Sequence, residues 1–206
     1  MTESIDTSLT SSDSGGPKGF HFTNRMRSVC EDMASRLPQL AHIQMDRVAL
    51  SFCQARKSVS HGLQASLTPM RFEDGDRELV QNGQRWRVQQ IRNHQNQEML
   101  YLLNFYLPRF QDQPFGEKLV TILHELWHIN PTFNGDLRRL PGRCYVHSAS
   151  EKKYDALMGT LANEWLARNP SRTVFQFLEM SFDDLQKTYG QVSGLRIPAP
   201  KMIRCG

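Results

Sequence analysis

Residues Leu123-His124-Glu125-Leu126-Trp127-His128-Ile129 place two imidazoles four positions apart, with a carboxylate beside the first. On a helix that spacing is one turn, so His124 and His128 share a face and can aim a ring nitrogen at one zinc ion. Glu125, next door, can take a proton from water acidified by that metal. The surrounding sequence predicts the helix this needs. Pro114 suits a first turn, Glu117 complements its N-terminal end, and Leu119, Ile122, Leu123, Leu126 and Ile129 recur at helical spacing. Pro131 disfavours a helical Asn130 and ends the helix just past the motif. With seven histidines in 206 residues, chance alone would put this pattern in about one such chain in a hundred, and a fitting helical context makes coincidence rarer.

A catalytic zinc usually takes three protein ligands and keeps one position open. Past Gly135 and the basic run Arg138, Arg139 and Arg143 come two candidates, His147 in Gly142-Arg143-Cys144-Tyr145-Val146-His147-Ser148 and Glu151 in Glu151-x-x-x-Asp155.

Over residues 117–155 the chain resembles the zincin metallopeptidases, and more closely the SprT-like and phage-type members, whose HELxH helix precedes a loop bearing Gly and Arg and then a third ligand. The SprT-like histidine that directly precedes a glycine is missing here, because Pro141 stands before Gly142. His147 is taken as its substitute. The gluzincin branch uses a glutamate in an ExxxD pattern, and Glu151 fits it with 22 residues between His128 and Glu151; it remains the alternative. The metzincin pattern fails, since Pro131 and Asn134 occupy its Gly and His positions. The resemblance implies a zinc-dependent peptidase acting on a peptide or protein substrate, with Glu125 as general base. If residues 144–148 are extended, Tyr145 projects with His147 and could stabilise an oxyanion, with Tyr154 as its rival. Two other readings stand beside it. One is a DNA-associated protease acting on nucleic-acid-bound protein; the other is an idle interaction module that keeps zinc for structure, which the retained Glu125 disfavours.

The composition bounds the rest. Charged residues at 22% and hydrophobic ones at 39% describe an ordinary globular chain, long enough for one domain with a real core. A net charge of +4 permits an acidic partner without demanding nucleic acid. No apolar run is long enough to cross a bilayer. Residues 1–19 read as a disordered leader without a signal peptide's apolar core, residues 20–193 as the zincin-like domain, and residues 194–206 as an extended tail. Four cysteines without a CxxC pair point to a reducing cytoplasm and neither a disulfide framework nor a zinc ribbon.

The expected fold class is α+β, a short antiparallel sheet packed on the HExxH helix with flanking helices. Met26, Val29, Cys30 and Met33 predict a helix over 22–36 that stops before Pro38. Val48, Leu50 and Phe52 predict a half-buried strand, and 65–72, 77–81, 84–92 and 98–107 an antiparallel meander turning at Asp74-Gly75 and Asn82-Gly83. Tyr154, Leu157, Met158, Leu161 and Trp165 predict a helix, and 182–189 another closed by Gly190. Residues 174–180 read as a strand or a helical turn. His42 and His61 are expected at the surface, and Arg85, Arg87 and Arg92 on a solvated strand face. In zincins an edge strand beside the metal helix holds an extended peptide, and the resemblance implies one here.

Overall fold

A computed structural model of the protein describes residues 19–54, 62–139 and 151–205, the side chains of 151–153 excepted. The fold is mixed α+β. Its strands are β1 (Phe20–His21), β2 (Val48–Gln54), β3 (Ala65–Pro69), β4 (Leu79–Gln81), β5 (Gln84–Val88), β6 (Tyr101–Leu107), β7 (Val192–Ser193) and β8 (Met202–Cys205). Its helices are α1 (Phe22–Arg36), α2 (Phe115–Trp127), α3 (Glu151–Ala167), α4 (Arg172–Phe175) and α5 (Phe182–Tyr189). No helix among the described residues is long and apolar enough to cross a membrane.

Helix α1 has the bounds its periodicity predicts. Phe22, Met26, Val29, Cys30 and Met33 are fully buried on one stripe, and the His21 ring accepts from the Asn24 N–H at 3.3 Å to cap the first turn. Pro38 follows the helix and opens a 3-10 turn.

The central sheet departs from the expected meander. Its order is β2-β6-β3; β2 runs parallel to β6, and β3 runs antiparallel on the other side. A parallel neighbour requires a crossover, and the chain between β2 and β6 supplies it by making β3 and the β4–β5 hairpin on the way. The hairpin turns at Asn82-Gly83 as expected, with φ of 52° and 73°, the left-handed pair of a two-residue loop. It leaves the central sheet and pairs through β5 with β8, so the C-terminal segment, extended as expected, ends as a strand.

Strand β2 is also covered on both faces, in contrast to the half-buried strand its alternation suggested, with Val48 through Phe52 all buried. The second cover is the C-terminal segment: Phe52 N–H donates to Leu195 O at 3.0 Å and Ile197 N–H to Ser51 Oγ at 2.9 Å. On β6, Tyr101, Leu103, Phe105 and Leu107 enter the main core, while Leu102 faces a smaller cluster with Ala49, Met70 and Met99. Helix α3 buries Tyr154, Met158, Leu161 and Trp165 in the main core, but Leu157 is 39% exposed and leaves the predicted stripe. Residues 172–179 are helical, as α4 and a 3-10 turn, which decides between the two readings of that segment. Helix α5 begins on a Ser181/Asp184 capping box and ends at Gly190 with φ of 76°.

One buried cation fixes α2 against this C-terminal region. Lys118 is 2% exposed, and its Nζ donates to Leu178 O and Met180 O, both at 2.8 Å. Burial pulls its pKa down from the ordinary 10.5 to about 8 against the pull of Asp112 and Asp184. Lys118→Met, which strips donors from two buried carbonyls, is expected to cost about 2 kcal/mol of stability. The pH dependence has a definite sign. Between pH 8 and 10.5 the unfolded chain holds the Lys118 proton that the folded one has released, so the group's contribution to stability rises with pH across that window. Denaturant melts of both proteins should therefore show the wild-type advantage growing from pH 8 to 10.5; a constant difference contradicts it.

Candidate functional site

Helix α2 carries the motif. Leu119, Ile122, Leu123 and Leu126 are fully or almost fully buried and hold one side of the helix in the core. That leaves His124 and Glu125 partly exposed on another side, with His128 at the helix end 9% exposed. Their ring centroids are 4.6 Å apart at an interplanar angle of 81°, so the two imidazoles meet edge to face, as a one-turn separation allows.

His128 occupies the C-cap and its N–H bonds back to His124 O and Glu125 O at 3.3 and 3.2 Å. The chain then folds back through an isolated antiparallel bridge between Ile129 and Leu137. Arg138 N–H donates to His128 O at 2.7 Å and Arg138 Nε to Trp127 O at 2.7 Å. Its guanidinium lies 4.1 Å from the Trp127 ring centroid. A cation over the last carbonyls satisfies them and complements the helix dipole. The return loop is itself anchored to the sheet, since Tyr101 Oη donates to Asp136 O at 2.9 Å and accepts from Gly135 N–H at 3.0 Å. Gly135 has a φ of 93°, and a Cβ there would lie 2.5 Å from Arg71 Cγ, so the close approach of loop and sheet requires glycine.

Glu125 faces β3. Burial raises its carboxyl to about 7, and the Leu67 backbone N–H, bonded to it, opposes that rise. The bond has a topological reason. Tyr106 N–H pairs with Gln64 O and Met70 N–H with Leu100 O, so in β3 the even-numbered residues bond to β6 and Ala65 and Leu67 turn their backbone groups to the free edge. That edge lies against α2.

On the other side stands Tyr154 from α3, 6% exposed. Its ring stacks on His128 at 6.1 Å and 20° and meets His124 edge-on at 4.8 Å and 74°. Burial raises the phenol above its ordinary value, with the Glu125 charge adding to the effect, so the hydroxyl keeps its proton.

The structure thus brings together His124, Glu125, His128 and Tyr154. His147 and Tyr145 lie outside the described residues, as does the Glu151 side chain, although Glu151 itself opens α3 on the same helix as Tyr154. His61 also lies outside them. His42, expected at the surface, is half-buried: burial lowers its pKa, and its ring bonds to the backbone of Ile129 just past α2. Among the described residues no three His, Cys, Asp or Glu side chains converge as a complete metal site. The donors that do converge, two imidazoles on one face, fit two of the three protein positions of a catalytic zinc.

No family model, curated protein or solved structure matches the chain.

Two parts of this arrangement had no reading in sequence. The Leu67 bond to Glu125 belongs to a backbone N–H, which leaves no trace in residue identity. Arg138 reads in the sequence as one of a basic run, and its signal is its position ten residues after His128, where a loop returning to the helix end needs a cation.

Proposed function

We propose that the chain is a zinc-dependent peptidase of zincin type, with His124 and His128 as two of the metal's ligands. The observation that carries this reading is the pairing of the two imidazoles at 4.6 Å beside a desolvated Glu125. The third ligand is His147, with Glu151 as the alternative. A zinc ion in that position supplies Lewis acidity toward water and toward an amide carbonyl. Glu125 takes the proton of the attacking water and returns it to the departing amine. The Leu67 N–H engages one carboxylate lone pair and ties the side chain to β3. On the edge of β3 away from β6, Ala65 presents its N–H and C=O and Leu67 its C=O to an extended peptide, which would pair there as an added strand. Such an arrangement holds the scissile bond near Glu125 at little cost in ordering.

Tyr154 takes the oxyanion role for which Tyr145 was the first candidate, because its hydroxyl stays protonated and its ring already touches both imidazoles. Tyr154→Phe is expected to lower kcat by about 10²-fold, the usual cost of one lost oxyanion donor, with KM and zinc content little changed. An unchanged kcat removes Tyr154 from the chemistry.

The function itself is tested by hydrolysis of unfolded casein. Activity is expected in the zinc-loaded protein, lost after chelation and restored by added zinc; a zinc-loaded, folded protein that leaves casein intact contradicts the proposal.

A further inference from the structure

The sheet β4-β5-β8 stands apart from the core. Of its strand residues, Val88 alone packs with either buried cluster, joining Ile91 and Ile197 against Ala49, Met70, Met99 and Leu102. The register sets Val80, Arg85 and Cys205 side by side and Arg87 beside Ile203. Residues directly opposite share a face and alternate residues return to it. Val80, Arg85, Arg87 and Ile203 therefore lie on the face turned away from Val88.

That face combines two properties seldom left uncovered together. Val80 is 67% exposed and Ile203 36%, and with Leu79 and Met202 on the reverse side they make four of the seven exposed large hydrophobic residues described. The same segments concentrate charge: residues 77–92 and 201–205 hold six of the 25 basic residues and one of the 21 acidic ones, with Arg85 and Arg87 on this face, Arg204 opposite Trp86 on the reverse one, and Arg77 paired with Glu98 at 3.3 Å. The single acid is Glu78, 3.6 Å from Arg85. Moreover, among the described residues β4 pairs with β5 alone, so its outer edge offers backbone groups for pairing.

We propose that this face is a docking surface for an acidic protein segment in which Asp or Glu alternates with aliphatic residues. The arginines select the charge, Val80 and Ile203 the aliphatic side chains, and the β4 edge an extended backbone. Nucleic acid fits less well. Its single strands need aromatic platforms beside the basic groups, and among the described residues none of the exposed large hydrophobics is aromatic, while Trp86 lies half-buried on the opposite face. A second copy of the chain would bring like charge to like.

The test is selection of random 12-residue peptides displayed on phage against the full-length protein. Sequences alternating Asp or Glu with Val, Ile or Leu should be enriched, and a synthetic peptide of that kind should bind more weakly as salt rises. Affinity should fall at least about tenfold in Arg85→Glu/Arg87→Glu and survive in Arg85→Lys/Arg87→Lys, which separates charge from folding. Glu125→Gln should bind like wild type, since the surface does not depend on the peptidase site. Absence of acid-aliphatic enrichment, or equal binding by the charge-reversed variant, overturns the proposal. So does a 20-nucleotide oligothymidylate that binds more tightly than the peptide and is lost in that same variant.

Discussion

Replacement of Glu125 by glutamine is expected to lower casein hydrolysis by about 10³-fold or more while zinc content and melting temperature stay at wild-type values. The amide keeps the shape of the carboxylate, and its oxygen can still accept from Leu67 N–H, the bond that ties this side chain to β3. What glutamine lacks is a site that takes a proton at neutral pH and gives it back. A loss confined to turnover therefore isolates the proton-transfer step from folding and from metal retention. If Glu125→Gln retains turnover, the proton is carried by another group and the role assigned to this carboxylate is wrong.

The second large effect belongs to the imidazoles. His128→Ala is expected to reduce bound zinc from one equivalent to a trace, because a catalytic zinc loses most of its affinity when one of three protein ligands is removed. The fold should survive, since α2 is held by Leu119, Ile122, Leu123 and Leu126, with Lys118 tied to Leu178 and Met180. The backbone of residue 128 keeps its bond from Arg138 regardless of side chain. Zinc measured by atomic emission, beside a circular dichroism melt, separates loss of metal from loss of structure. His124→Ala should behave alike, and a full equivalent of zinc in either variant contradicts the assignment.

The longer helices were the legible part of this molecule, because each one carries its own signal, whereas the short α4 left no more than an ambiguous run. Met26, Val29, Cys30 and Met33 repeat at helical spacing before Pro38, and α1 ends where they say it should. Gly190 closes α5 in the same way. The sheet was less legible because pairing joins segments whose sequences do not refer to each other. Strands β3 to β6 follow one another in the chain and suggested a meander, yet β6 inserts between β2 and β3. The alternation in β2 suggested one solvated face, but the segment that covers it is 146 residues away at Ile197. Within the site, spacing alone put His124 beside His128. It could not show that Tyr154, read as a member of a core stripe and as a rival oxyanion donor, lays its ring against both.

X-ray absorption at the zinc edge of the purified protein reads whether His124 and His128 hold a zinc ion. The predicted result is one equivalent of zinc with a first shell of nitrogen and oxygen at about 2.0–2.1 Å, imidazole scattering from at least two rings, and loss of that signal in His128→Ala. A protein that takes up no zinc, or that binds it through sulfur at about 2.3 Å, contradicts it.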